Sequence, residues 1–166
     1  DIRSEAPVPF HDFRKARAMK SVVVGASAGL GRALAENLAE HGHELYLIAS
    51  DETDLQAIAA DLRIRFGRPV AFRAIDLAEF DAAAVAKDVQ NAIGDPDNLL
   101  FIAGLSSPAD RGPMQDELAA RLMAVNFEAG VRLVNAFVPI LADRPGGNIV
   151  GIGSVAAARG RRGNAI

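Results

Sequence analysis

Residues 22 to 31 read Val22-Val23-Val24-Gly25-Ala26-Ser27-Ala28-Gly29-Leu30-Gly31, and helical periodicity follows to His41. A β-branched run that breaks into three glycines and then resumes as a helix restricts the chain to few folds. The strand delivers the backbone to a tight turn, and the glycines let a ligand approach the main chain closely. The next helix then aims its unbonded N–H groups and the positive end of its dipole at an anion such as a pyrophosphate. Glycine-rich turns are common, so the loop alone would say little. Its context carries the reading: a strand before, a helix after and a second strand beyond. Gly25, Ser27, Ala28, Gly29, Leu30 and Gly31 are therefore the first candidates for cofactor contact.

The rest of the chain repeats the alternation. Strands are expected at 21–25, 44–49, 70–75, 99–103 and 148–152, with helices at 30–41, 51–66, 81–93 and 116–141. The helix at 51–66 carries Leu55, Ile58, Ala59, Leu62 and Phe66 on one face, and Gly67 ends it. Leu118, Leu122, Val125, Ala129, Leu133, Phe137 and Leu141 recur at helical spacing in the last helix, where Pro139 is expected to terminate or kink it. Strands and helices in strict alternation, joined by short loops, imply an α/β fold. The expected form is a doubly wound parallel sheet of the Rossmann-like kind, with five strands and a ligand crevice at their carboxyl ends.

Composition excludes several classes. The chain has 166 residues, enough for one domain, and half of them are hydrophobic. A net charge of −3 gives no electrostatic footprint for nucleic acid. Without cysteine there is neither a disulfide framework nor a thiolate metal site. No apolar run approaches the ~18 residues of a membrane span, and no secretory signal opens the chain, so a cytoplasmic setting is expected. Residues 1–18, which lack clear periodicity, read as a native extension or an added leader, leaving 19–166 as the dinucleotide-binding domain. His41 and His43 flank a turn at the far end of the sheet and are expected at the surface; His11 lies in the leader. No metal site is expected.

From residue 19 to 166 the sequence resembles the short-chain dehydrogenase/reductase family. The Gly25–Gly31 segment looks like that family's cofactor loop, with Val24 in place of the usual threonine. Asp76-Leu77 matches the acidic residue that hydrogen-bonds adenine. Ile102-Ala103-Gly104 stands where the family has Asn-Ala-Gly. Asn126, in Ala124-Val125-Asn126-Phe127, matches the asparagine of the long helix. Gly153-Ser154-Val155-Ala156 matches the serine motif after the fifth strand. The resemblance implies an NAD(P)-dependent oxidoreductase that interconverts an alcohol and a carbonyl, assembled as a homodimer or homotetramer. Ser154 would orient the reacting oxygen, and Asn126 would hold a water of the proton relay. Leu77, Ala103 and Gly104 join the cofactor contacts.

The family's catalytic tyrosine commonly follows the serine by thirteen residues, with a lysine four further on. Counting from Ser154 lands one position past Ile166, and the one tyrosine of the chain is Tyr46, in the second strand. The expectation is thus an enzyme's domain met without its Tyr-x-x-x-Lys, in a sheet that continues further. For the coenzyme, Ala28 and Ser50 occupy the family's usual basic positions. Asp51, twenty residues past Gly31, could meet a ribose hydroxyl or simply cap a helix; the missing cation and this acid lean toward NAD over NADP. Arg159-Gly160-Arg161-Arg162 forms a basic loop that suggests an anionic substrate. The rival readings are a non-catalytic dinucleotide-binding module and an S-adenosylmethionine-dependent methyltransferase.

Overall fold

The computed structural model describes residues 17–106, 115–154 and 159. Residues 1–16 with His11, the Val155-Ala156 pair, and Gly160, Arg161 and Arg162 of the basic loop lie outside the described residues.

Five parallel strands, β1 (Lys20–Val24), β2 (Glu44–Ala49), β3 (Val70–Ala74), β4 (Asn98–Phe101) and β5 (Asn148–Gly151), form one sheet in the order β3-β2-β1-β4-β5. The chain winds from β1 outward to β3, then crosses back to β4 on the other side. The reversal between β1 and β4 is the switch point at which such sheets open a crevice. The expected α/β, Rossmann-like architecture is the one observed.

The helices divide between the two faces. Helices α1 (Gly29–Glu40) and α2 (Glu52–Phe66) bury Ala35, Ala39, Leu55, Ile58, Ala59 and Leu62 against Val23, Leu45 and Leu47. On the opposite face, α3 (Ala82–Ile93) contributes Val85, Val89 and Ile93, which pack with Val22, Val24, Tyr46, Ile48 and Leu99. The same layer receives Val125, Ala129, Leu133, Phe137 and Leu141 from one long helical run. Alternate residues of β1 thus serve opposite layers, as the two-residue period of a strand requires.

Element boundaries shift from expectation where backbone chemistry intervenes. Gly25 leaves β1 because its φ of +93° is incompatible with an extended strand. Asp51 stands outside α2 as its N-cap, accepting the Asp54 amide at 2.9 Å. Asp81 caps α3 likewise, accepting from the amides of Ala83 and Ala84. The run expected at 116–141 is three pieces: α4 (Asp116–Met123), a π-helical turn (Ala124–Glu128) and α5 (Ala129–Ala142). Pro139 lies within α5 and does not end it. The irregularity falls instead at the π turn, around Asn126. Together these pieces make a 27-residue helix with an 18-residue window of mean hydropathy 1.3, long and apolar enough to cross a membrane. This corrects the expectation that no apolar segment approaches that length. Here the buried stripe of that helix covers the sheet.

The amino-terminal end of the sheet carries a row of polar side chains. Asn148 Nδ2 donates to Asn98 Oδ1 at 3.1 Å, and Asn98 Nδ2 donates to Ser21 Oγ at 2.9 Å. The Ser21 hydroxyl, already an acceptor, keeps its proton for His43 Nδ1 at 2.8 Å. Burial holds the His43 pKa below its ordinary value, in keeping with a neutral ring that accepts here. His43 is half-buried at this end of the sheet, while His41 stays exposed, as expected, and bonds the Asn37 carbonyl. Beside this row, the buried Asp97 carboxylate accepts from the Lys20 amide at 2.9 Å and pairs with Arg17 and Arg144. Arg17, inside the presumed leader, is thus tied to the domain.

Burial tends to raise the Asp97 pKa, but the Lys20 amide and the two guanidinium groups together hold it below the usual carboxylate range. A carboxylate depressed in the fold contributes stability above its unfolded pKa of about 4 and loses it as pH falls through the folded value. Asp97→Ala should cost about 2–3 kcal/mol in urea denaturation at pH 7, since it strands a buried amide and uncouples Arg144. The gap to wild type should close as pH drops below about 4.

Candidate functional site

A cleft of about 460 Å³ opens at the carboxyl ends of the strands, over the switch point. Its floor is the β1–α1 loop: Gly25, Ser27, Ala28, Gly29, Leu30 and Gly31. The ends of β2 and β3 supply Ala49, Ser50, Ile75, Asp76 and Leu77. The chain after β4 adds Ile102, Ala103, Gly104 and Leu105, with Arg121 and Val125 from the long helix and Ile152 past β5 completing the wall.

Two glycines make this floor possible. A Cβ on Gly25 would lie 2.6 Å from the Ala103 amide nitrogen, and one on Gly31 only 2.0 Å from the Gly25 carbonyl oxygen. Backbone is pressed on backbone at both points, so no larger residue fits without separating helix, turn and β4. Gly29 differs. Its φ is +53°, and an added Cβ would meet nothing within 4 Å, which leaves it facing open space.

Helix α1 starts at this floor in an unusual electrostatic condition. Ala28 at its N-cap has no side chain able to bond the first amides, and the first turn holds no acid. By contrast, α2 and α3 are capped by aspartates, and α4 carries Asp116 and Glu117 in its first turn. The opening N–H groups of α1 are thus left for something other than the protein, and an anion suits them. The arrangement fits a pyrophosphate.

Most of the sequence-derived candidates converge here: all six loop residues, Ser50, Asp76, Leu77, Ala103 and Gly104 line the cleft. Asp51 does not, because its carboxylate serves the amino end of α2. Asn126 lies in an adjoining groove with Phe101, Phe127, Gly130, Gly151 and Gly153. Its amide clamps the loop after β4 at two points, accepting from the Leu105 amide at 2.6 Å and donating to the Leu105 carbonyl at 2.9 Å. Ile102, where the family carries asparagine, braces the same loop through its main chain, donating to the Val24 carbonyl at 2.9 Å. Ser154 is exposed and follows Ile152 and Gly153 of the two linings. Tyr46 is 3% exposed within the core, and burial raises its pKa above the ordinary phenol value, which unsuits it for proton transfer near neutrality.

Sequence reasoning missed Arg121. It pairs with Asp76 at the cleft wall, with Nη2 3.0 Å from Oδ2. The Ala78 amide, donating to Oδ1 at 2.9 Å, and then this guanidinium hold the Asp76 carboxyl below its usual range. Only the strand order brings α4 against the loop after β3, so no local pattern marks this residue.

Comparison with known proteins agrees with this geometry. A family model described as short chain dehydrogenase matches residues 20–166. The chain is 30% identical over 145 residues to 3-oxoacyl-acyl-carrier-protein reductase of Escherichia coli K12, a match that covers 87% of this chain and 58% of that protein. L-sorbose reductase from Gluconobacter frateurii, solved with NADPH and L-sorbose, superposes with a TM-score of 0.83 at 30% identity, over 89% of this chain and 56% of that one. A short chain dehydrogenase from Shigella flexneri 2a, solved with NADP, gives 0.81 at 25% identity, over 89% and 63%. The chain spans about half the length of the curated relatives it matches.

Substituting the glycines separates packing from ligand space. Gly31→Ala should lower the melting temperature by several degrees, since backbone must move. Gly29→Ala should cost only the ~1–2 kcal/mol of a left-handed non-glycine residue while placing a methyl group in the cleft. Thermal denaturation of both variants reads the difference.

Proposed function

The chain belongs to the short-chain dehydrogenase family, and from that premise we propose that it binds a nicotinamide dinucleotide along the cleft and serves an oxidoreductase that interconverts an alcohol and a carbonyl. One observation carries the reading: α1, alone among the first four helices, begins with neither a capping side chain nor an acid, and its start forms the floor of a cleft at the switch point. Backbone amides of 27–31 would hold the pyrophosphate, Ser50 would meet the adenosine ribose, and Asp76 would accept from the adenine amine. When bound, the nicotinamide supplies or takes up the hydride. Asn126 sets the height of the loop after β4, on which Ala103 and Gly104 would flank the coenzyme. Ser154, at the rim beyond β5, is suited to donate a hydrogen bond to the reacting oxygen of a small alcohol or carbonyl substrate.

Nothing among the described residues of the cleft favours NAD over NADP. Asp51, the acid behind the lean toward NAD, is spent on a helix cap, and the two solved relatives above carry NADPH or NADP. The reading therefore extends to the coenzyme class, NAD or NADP. The methyltransferase and regulatory-module readings gain no support from the family match. Exposed Met123, Phe127, Val131 and Val138 on the long helix favour assembly as a homodimer or homotetramer.

Calorimetric titration of the 166-residue chain should give saturable heat with NADH or NADPH and none with S-adenosylmethionine. Silence with both dinucleotides would remove the proposal. Light scattering of the same sample should give a mass two or four times that of the monomer, and Phe127→Glu should lower it.

A further inference from the structure

Asp76 and Arg121 are the only charged residues, among those described, that line the cleft. They meet at its wall at 3.0 Å with side chains 47% and 51% exposed. An ion pair this wet adds little to stability, because water screens the attraction and two long side chains must be ordered to form it. The other exposed pairs, Arg65 with Glu36 and Asp61 and Arg73 with Asp88, lie away from the cleft wall. A pair that contributes little to the fold and lines the cleft invites a binding role.

The chemistry of the pair is specific. Asp76 accepts the Ala78 amide on Oδ1 and Arg121 on Oδ2. A carboxylate has about four acceptor positions, so these two bonds fix its plane and leave capacity for a further donor. Arg121 adds a flat, delocalised cation, which stacks on the face of an aromatic ring as well as pairing with a carboxylate. An adenine base matches both properties, with an exocyclic amine to donate and a π face to cover.

We propose that Arg121 is a positioning residue for the adenine half of the coenzyme: it orients the Asp76 carboxylate toward the adenine amine and lays its guanidinium plane along the base. The inference rests on the coenzyme reading above and adds to it a residue that the loop motif does not contain. A base bearing a carbonyl where adenine has its amine would face the carboxylate acceptor to acceptor and be rejected.

Fluorescence titration with NADH and with its hypoxanthine analogue reads this directly. Wild type should favour the adenine form by about tenfold, the scale of one charge-assisted hydrogen bond. In Arg121→Gln, NADH affinity should fall about tenfold and the preference for adenine should shrink below threefold. Arg121→Lys, which keeps the charge and loses the planar fork, should fall between. Asp76→Asn should remove the preference, and adding Arg121→Gln to it should change the ratio no further, the signature of two residues acting through one contact. A wild-type ratio retained in both Arg121 variants, or a wild type without preference, overturns the inference while leaving coenzyme binding intact. If wild type binds neither dinucleotide, the broader reading fails with it. Should Arg121→Gln not fold, Arg121→Lys decides alone: a ratio at least threefold below wild type supports the inference, and an unchanged ratio ends it.

Discussion

The architecture turns on a place where backbone touches backbone without an intervening side chain. Gly25 presses on the chain after β4, and Gly31 presses on the Gly25 carbonyl. That double contact lets α1 start directly against the sheet at its switch point, where β1 and β4 diverge. A helix set back by one methyl group would still cover the sheet, but its first amides would no longer reach the floor of the cleft. Fold and site therefore depend on the same missing side chains.

The two ends of the sheet use charge differently. At the amino end, Asp97 is buried and bonded to a backbone amide and two arginines, so its ionised form supports the folded state. At the carboxyl end, Asp76 and Arg121 stay half in water, where their attraction does little for stability. The first arrangement is costly to disturb. The second is cheap to rearrange when a ligand enters.

Much of this was legible in the residues. Five strands and the helices between them follow from apolar periodicity, and the loop between Gly25 and Gly31 announces its cleft. The failures have physical causes. Asp51 stands at the spacing of a ribose ligand, but of the two roles its position offered, the helix cap is the one formed, because an aspartate one residue before a helix finds an amide to accept. Pro139 looked like the helix breaker, but the irregularity falls at the π turn, where Asn126 reaches the Leu105 backbone, a contact no local pattern encodes. The half-buried His43 bonds Ser21, twenty-two residues away, which no local pattern announces. Arg121 was invisible for the same reason. Long-range pairing decided all three.

The file of amides and hydroxyl across the amino end has a consequence for alignment. Ser21 stands opposite Asn98, and Asn98 opposite Asn148, in the strand pairing itself. Sliding β4 by a single step would turn its apolar side chains to the wrong layer. It would also part the buried Asn98 amide from the buried Ser21 hydroxyl, at about 1–3 kcal/mol for each orphaned group. Hydrophobic layers tolerate some substitution of one aliphatic for another, whereas this polar file accepts only one offset. It works as a key that the strands must match, and it sits at the far end of the sheet from the cleft.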